Sequence, residues 1–217
     1  MCHRIARAAA MLASWLIAGL SWAHVPYLER LDHREGRPFV VPKSIEQSIA
    51  VYAWLRSPRD ADVYAFELGP GSARVFVEAL VPVCPGYENL LPWFAIVGPG
   101  LPPPPPGVPL PIEPAPGEGA VVMPNLAPGE PRDTFYEPFG AKWYYQGPRH
   151  DAFIDGPGAF RIVFWDPFGV PGDYVAVTGA EEMWGPDDTV RAPRASVRAL
   201  RPTPAIRRGG ELHVPCP

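Results

Sequence analysis

Proline stands at 32 of 217 positions, about three times the ~5% share of ordinary proteins. Inside a helix each proline removes a hydrogen bond and clashes with the preceding turn. A mainly helical fold is therefore excluded. The apolar residues, 47% of the chain at a mean hydropathy of −0.04, must be buried by strands. Period-two patterns show where. In "SIEQSIAVYAWL" (44–55), Ile45, Ile49, Val51, Ala53 and Leu55 occupy odd positions. In "DVYAFEL" (62–68), Tyr64, Phe66 and Leu68 share one face, and in "ARVFVEALV" (73–81) so do Val75, Val77, Ala79 and Val81. Alternating β-branched and aromatic residues pack on a pleated sheet. "GPGS" (69–72) lies between the last two segments and predicts a turn joining neighbouring antiparallel strands. "WFAIVG" (93–98) is apolar throughout, as a strand buried on both faces would be.

The pattern breaks at 99–119, "PGLPPPPPGVPLPIEPAPGEG", where five consecutive prolines favour extended polyproline backbone. A recognition arm and a stiff surface loop inside one domain are the two readings. The loop is preferred, because the segments on either side look like parts of one sheet pair. Strands resume at 120–123, 142–146, 158–166 and 173–179. "FYEPFG" (135–140) and "FWDPFG" (164–169) echo one another, each a strand end running into a proline turn closed by glycine. A short helix is expected in "GPDDTVRAP" (185–193), with Asp187 as N-cap and Pro193 as its stop. Short strands at turn spacing with almost no helix predict an all-β fold. The expected form is an antiparallel jelly-roll-like β-sandwich over 24–185, with a proline-rich insert at 99–119 and a short C-terminal helix and tail at 186–217.

The order "DADVYAFEL", "GSARVFVEAL", "WFAIVGPG" and then "GPGAFRIVFW…GDYVAVTG" resembles the bacterial pre-peptidase C-terminal domain, a small sandwich attached to secreted enzymes. Asp60, Asp62, Tyr64, Phe66, Gly172, Asp173 and Tyr174 match its Asp-x-Asp-x-Tyr-x-Phe and Gly-Asp-Tyr motifs, and Phe160 stands where that family often has tyrosine. The likeness covers about 44–179 and its motifs are structural. The chain also resembles a group of secreted prokaryotic proteins sharing "VPKSIEQSIAVYAWL" and "VEALVPVCPGYE". Neither resemblance brings an activity with it.

The two ends concern compartment. Arg4 and Arg7 precede an uncharged run, Ala8 to Leu20, and small residues Ser21 and Ala23 follow at the −3 and −1 positions. This is the layout of a secretory signal peptide over 1–23, with an uncleaved anchor as the alternative. A secreted or periplasmic location is expected, with no transmembrane segment after cleavage. Cleavage would remove Cys2 and leave Cys84 and Cys216, an even pair that reads as a disulfide in an exported chain. Residues 24–185 hold 11 basic against 20 acidic side chains, a net of −9, whereas 186–217 is a basic tail of net +3. So acidic a body lacks the dense cationic face that nucleic-acid phosphates need, and the tail is expected to lie on it.

Three candidate sites emerge. After cleavage His24 would offer an amine and an imidazole, which suit copper(II), with His33, His150 or His213 as a further ligand. Asp60, Asp62, Asp166 and Asp173 fall at strand ends or turns, where oxygens gather around calcium; Asx-turn chemistry is the alternative. Trp143, Tyr145 and Trp165 are candidates for a platform that stacks a ligand such as a glycan. The sequence holds no G-x-S-x-G, H-E-x-x-H or G-x-x-x-x-G-K. The expectation is an exported, non-catalytic binding module whose partner is a glycan, a surface protein or an envelope ligand. The alternative is an extracytoplasmic copper-binding protein, or a copper oxidase or monooxygenase, built on His24.

Overall fold

A computed structural model describes residues 24–137, 142–188, 206–208 and 211–213. The predicted signal segment, His213's side chain, Cys216 and most of the basic tail lie outside the described residues. Eleven strands form two mixed sheets. The first contains β1 (Val25–Leu28), β3 (Ile49–Leu55), β5 (Ser72–Pro82), β8 (Thr134–Glu137), β9 (Lys142–Asp155) and β11 (Gly172–Thr178), in the spatial order β1-β3-β11-β5-β9-β8. The second contains β2 (Phe39–Val40), β4 (Ala61–Leu68), β6 (Trp93–Pro99), β7 (Glu118–Met123) and β10 (Gly158–Trp165), in the order β2-β4-β10-β6-β7. β12 (Ile206–Arg208) and β13 (Glu211–His213) pair as a separate hairpin.

The odd-position faces read from the sequence meet in one core. Ile49, Val51, Ala53 and Leu55 of β3, Val75, Val77, Ala79 and Val81 of β5, and Tyr174 and Ala176 of β11 face Tyr64, Phe66, Leu68, Phe94, Ile96, Phe160, Ile162 and Phe164 of the second sheet. Two sheets sharing one apolar interior fit a β-sandwich. β6 is buried on both faces, as expected. Phe94 and Ile96 enter this core, whereas Ala95 and Val97 join a second cluster on the outer face with Val63, Val163 and Trp165. Ile112, Val108 and Leu110 of the proline-rich segment pack on that outer cluster. Pro102 O accepts a hydrogen bond from Ala120 N at 2.8 Å, and a Cβ on Gly119 would lie 2.1 Å from Leu101 O. Residues 108–112 of the segment thus lie on the outer face of the second sheet.

Four expectations need correction. The sheets are not purely antiparallel, since β1 pairs with β3 and β2 with β4 in parallel. The first six strands alternate between the two sheets. A chain that reverses at each crossing returns to its first sheet in the same direction, which makes adjacent strands two apart in sequence parallel. For the same reason β4 and β5 are not partners. β4 pairs with β2 and β10, and β5 with β11 and β9, so 69–71 is a corner between sheets. β9 extends to Asp155, past Gly147-Pro148, where the sequence reading stopped at 146. Finally, the helical turn begins at Pro186, so Asp187 lies inside it. Asp188 Oδ2 accepts from Gly185 N at 2.8 Å and Asp188 N donates to Gly185 O at 3.1 Å. Gly185 is therefore the cap, with proline at the first helical position and an acid reaching back from the third. Lys43 Nζ pairs with the same carboxylate at 2.8 Å.

Candidate functional site

The expected metal and ligand residues are distributed over separate places. Asp62 is the second residue of β4. The alternation that turns Tyr64 and Phe66 inward also turns Asp62 inward, and it is fully buried. Its Oδ2 accepts a hydrogen bond from Tyr174 Oη at 2.8 Å, and the Tyr174 and Tyr64 hydroxyls lie 3.2 Å apart. Residues of the Asp-x-Asp-x-Tyr and Gly-Asp-Tyr motifs thus touch across the core. Two further acids converge on Asp62 that sequence reading missed, Glu29 and Asp32. One oxygen of each of the three lies within 4.8 Å of the others, and all three side chains are buried. The alternation Val25, Tyr27, Glu29 along β1 was the signal for the first. Asp32 lies beyond any strand and had none.

Each carboxylate has a local reason for its position. Glu29 N donates to Tyr52 O at 3.0 Å, prolonging the β1–β3 ladder, and Glu29 Oε2 accepts from Trp54 N at 2.8 Å. Asp32 O accepts from the Arg37 guanidinium, with Nη2 at 2.9 Å, and Asp32 Oδ2 accepts from Arg56 Nη2 at 2.5 Å. Asp32 Oδ1 and Asp62 Oδ1 are buried with no hydrogen-bond partner. Burial pushes the Asp62 carboxyl well above the usual carboxylate range, and the neighbouring Glu29 charge raises it further. Burial, then Asp60, raises Asp32 against the opposing pull of Arg56. Burial, then the Asp62 charge, raises the Tyr174 hydroxyl.

The other expected calcium ligands do not join this cluster. Asp60 Oδ2 accepts from Arg56 N at 2.6 Å, closing its own turn. Asp166 accepts from Leu91 N and Phe168 N, each at 2.7 Å, at the β10 turn that Gly169 completes at φ 74°. Asp173 Oδ2 accepts from Tyr87 Oη at 2.9 Å. The histidines are equally dispersed. His24 Nδ1, which a copper brace would use, is bonded to Ser48 Oγ. The His24 ring lines a small recess with Tyr52, Glu137 and Tyr144 on the outer side of the first sheet, and burial lowers its pKa. His33 packs 5.2 Å from the Phe39 ring, and His150 lies opposite Val77 on β9. Among the described residues, Glu29, Asp32 and Asp62 are the one group with metal-ligand spacing.

The aromatic candidates also separate. Trp165 is buried beneath the proline-rich segment, 6.2 Å from the Trp93 ring, and forms no surface platform. Tyr145 is half-buried under Arg132, whose Cζ stands 4.3 Å above its ring. Arg132 Nη1 donates to Leu90 O at 3.0 Å, and burial lowers its pKa to about 10. Trp143 is 55% exposed and meets Tyr136, 48% exposed, edge-to-face at 5.6 Å between ring centres. Tyr136 and Trp143 are register partners across the β8–β9 edge, so they form a ledge, and Tyr145 lies two positions further along β9 beneath Arg132.

Cys84 is buried just past β5. No helix among the described residues is long and apolar enough to cross a membrane. No family model matches the chain, and a search of curated proteins finds no match.

Proposed function

We propose that this protein is an exported, non-catalytic binding module on a jelly-roll-like β-sandwich, and that it takes a glycan on the Tyr136–Trp143 ledge. The observation that carries the reading is the exposure of these two rings, 48% and 55%, at a sheet edge. Exposed aromatic surface of this kind marks interaction sites. The edge-to-face contact limits ring motion before any ligand arrives, which reduces the ordering cost of binding. Sugar rings present C–H faces to such aromatics. The signal-peptide layout of residues 1–23 supports export, and a Cys84–Cys216 disulfide belongs to the same proposal.

The test is retention of the purified protein on a panel of soluble and insoluble polysaccharides. At least one class should retain it, and Trp143→Ala should weaken retention at least tenfold with an unchanged melting temperature. Retention by none of the panel, or equal retention of the variant, overturns the glycan reading.

A further inference from the structure

We propose that Glu29, Asp32 and Asp62 are ligands of one divalent cation of the calcium class. The inference is independent of the aromatic ledge and concerns another part of the molecule. The first ground is geometric. One oxygen from each carboxylate lies within 4.8 Å of the other two. Two ligands on one calcium ion, each at about 2.3–2.6 Å from it, stand up to roughly 5 Å apart. The second ground is the set of missing donors. Asp62 is fully buried and Asp32 is 7% exposed. Each turns one oxygen to a hydrogen-bond donor, Tyr174 Oη for Asp62 and Arg56 Nη2 for Asp32. The second oxygen of each, Oδ1, is buried with no donor at all. An ionised carboxylate only accepts, so a bound cation would supply the partner that both atoms lack.

The donor set chooses the cation. It is all oxygen, without imidazole or thiolate, which favours hard ions over copper or zinc. The ligands come from separate elements, so their spacing is adjustable, which suits calcium better than the strict octahedron of magnesium. Glu29 and Asp32 follow β1 of the first sheet, and Asp62 belongs to β4 of the second. A cation here would fasten the two sheets along one side.

Terbium(III), a luminescent hard ion, tests this on the full protein freed of metal by chelation. Excitation of Tyr64 and Tyr174 should give sensitised emission that calcium displaces at lower concentration than magnesium. Calcium should also raise the melting temperature. Asp62→Asn should weaken calcium binding at least tenfold and abolish that rise, whereas Asp155→Asn, an exposed control, should leave both unchanged. Glu29→Gln serves as the second variant should Asp62→Asn not fold. Absence of sensitised emission together with a melting temperature indifferent to millimolar calcium overturns the proposal, as it would if the three acids held only shared protons. So does wild-type binding by the variants, or displacement by magnesium first.

Discussion

Asp62 and Asp166 lie toward the same end of one sheet, the first near the start of β4 and the second just after its antiparallel neighbour β10. Both are buried, at 0% and 6% exposure, and burial raises both carboxyls. They differ in donors. Asp166 receives backbone N–H groups from Leu91 and Phe168 and is further held down by those of Val170 and Gly169. Asp62 has a single hydroxyl on one oxygen, no donor on the other, and like charges beside it. Burial alone therefore does not identify a site. An acid saturated by its own turn is structure, and an acid left short of partners among other acids points to a ligand.

The largest expected effect breaks the saturated side. Asp166→Ala leaves two or more N–H groups without an acceptor, each orphaned buried donor costing about 1–3 kcal/mol. Urea denaturation should show a loss on the order of 3 kcal/mol or more, with chelator and with calcium alike. Should the loss disappear in calcium, Asp166 would belong with Asp62 after all. The donor-poor side should behave oppositely. Calcium at a hundredfold excess over its dissociation constant stabilises by about 2.7 kcal/mol. Asp62→Asn should lose that increment while tolerating chelator as well as the wild type does, since it carries no buried charge. Equal calcium responses in the two proteins would erase the contrast.

Much of this contrast was written in alternation. Counting by twos from Tyr64 and Phe66 turns Asp62 inward, and counting from Val25 turns Glu29 inward. Asp32 could not be found this way, because a fold-back held by Arg37 and Arg56 delivers it, and such contacts have no local signature. The faces of β3, β5, β10 and β11 were legible for the same reason, but their neighbours were not. "GPGS" serves a hairpin and a corner between sheets equally well, so it does not decide whether β4 and β5 are partners. Trp165 falls outward by alternation. The outer cluster, to which Trp93 and the insert's Val108, Leu110 and Ile112 contribute, turns an outward tryptophan into a buried one.

Tyr174→Phe sharpens the comparison at smaller scale. It removes the hydroxyl that donates to Asp62 Oδ2 and meets Tyr64 Oη, while the ring keeps its place in the core. Removing one partner of a buried hydrogen bond costs about 1–3 kcal/mol, so chelated protein should lose roughly 2 kcal/mol. Calcium should recover part of it by coordinating the oxygen left without its donor. A loss that calcium leaves untouched would separate Tyr174 from the cation site.

His24 supplies a half-buried titratable group with no like charge among the causes of its shift, and the smallest effect. Desolvation alone lowers its pKa below the ordinary 6.5. The neutral imidazole is therefore the folded form, while the unfolded chain takes up a proton as pH falls through about 6.5. Between that value and the lowered folded value the unfolded state binds more protons. The stability is full above about pH 6.5 and is lost as pH falls through that window. His24→Gln keeps a side chain able to bond Ser48 Oγ and carries nothing to titrate. Melting temperatures measured from pH 7.5 downward should fall less steeply for the variant, and the difference between the two proteins should be independent of calcium. Parallel slopes would mean that His24 is solvated when folded. A calcium-dependent difference would mean that its recess on the first sheet is coupled to the carboxylates between the sheets, and burial without like charge would then no longer be a separate case.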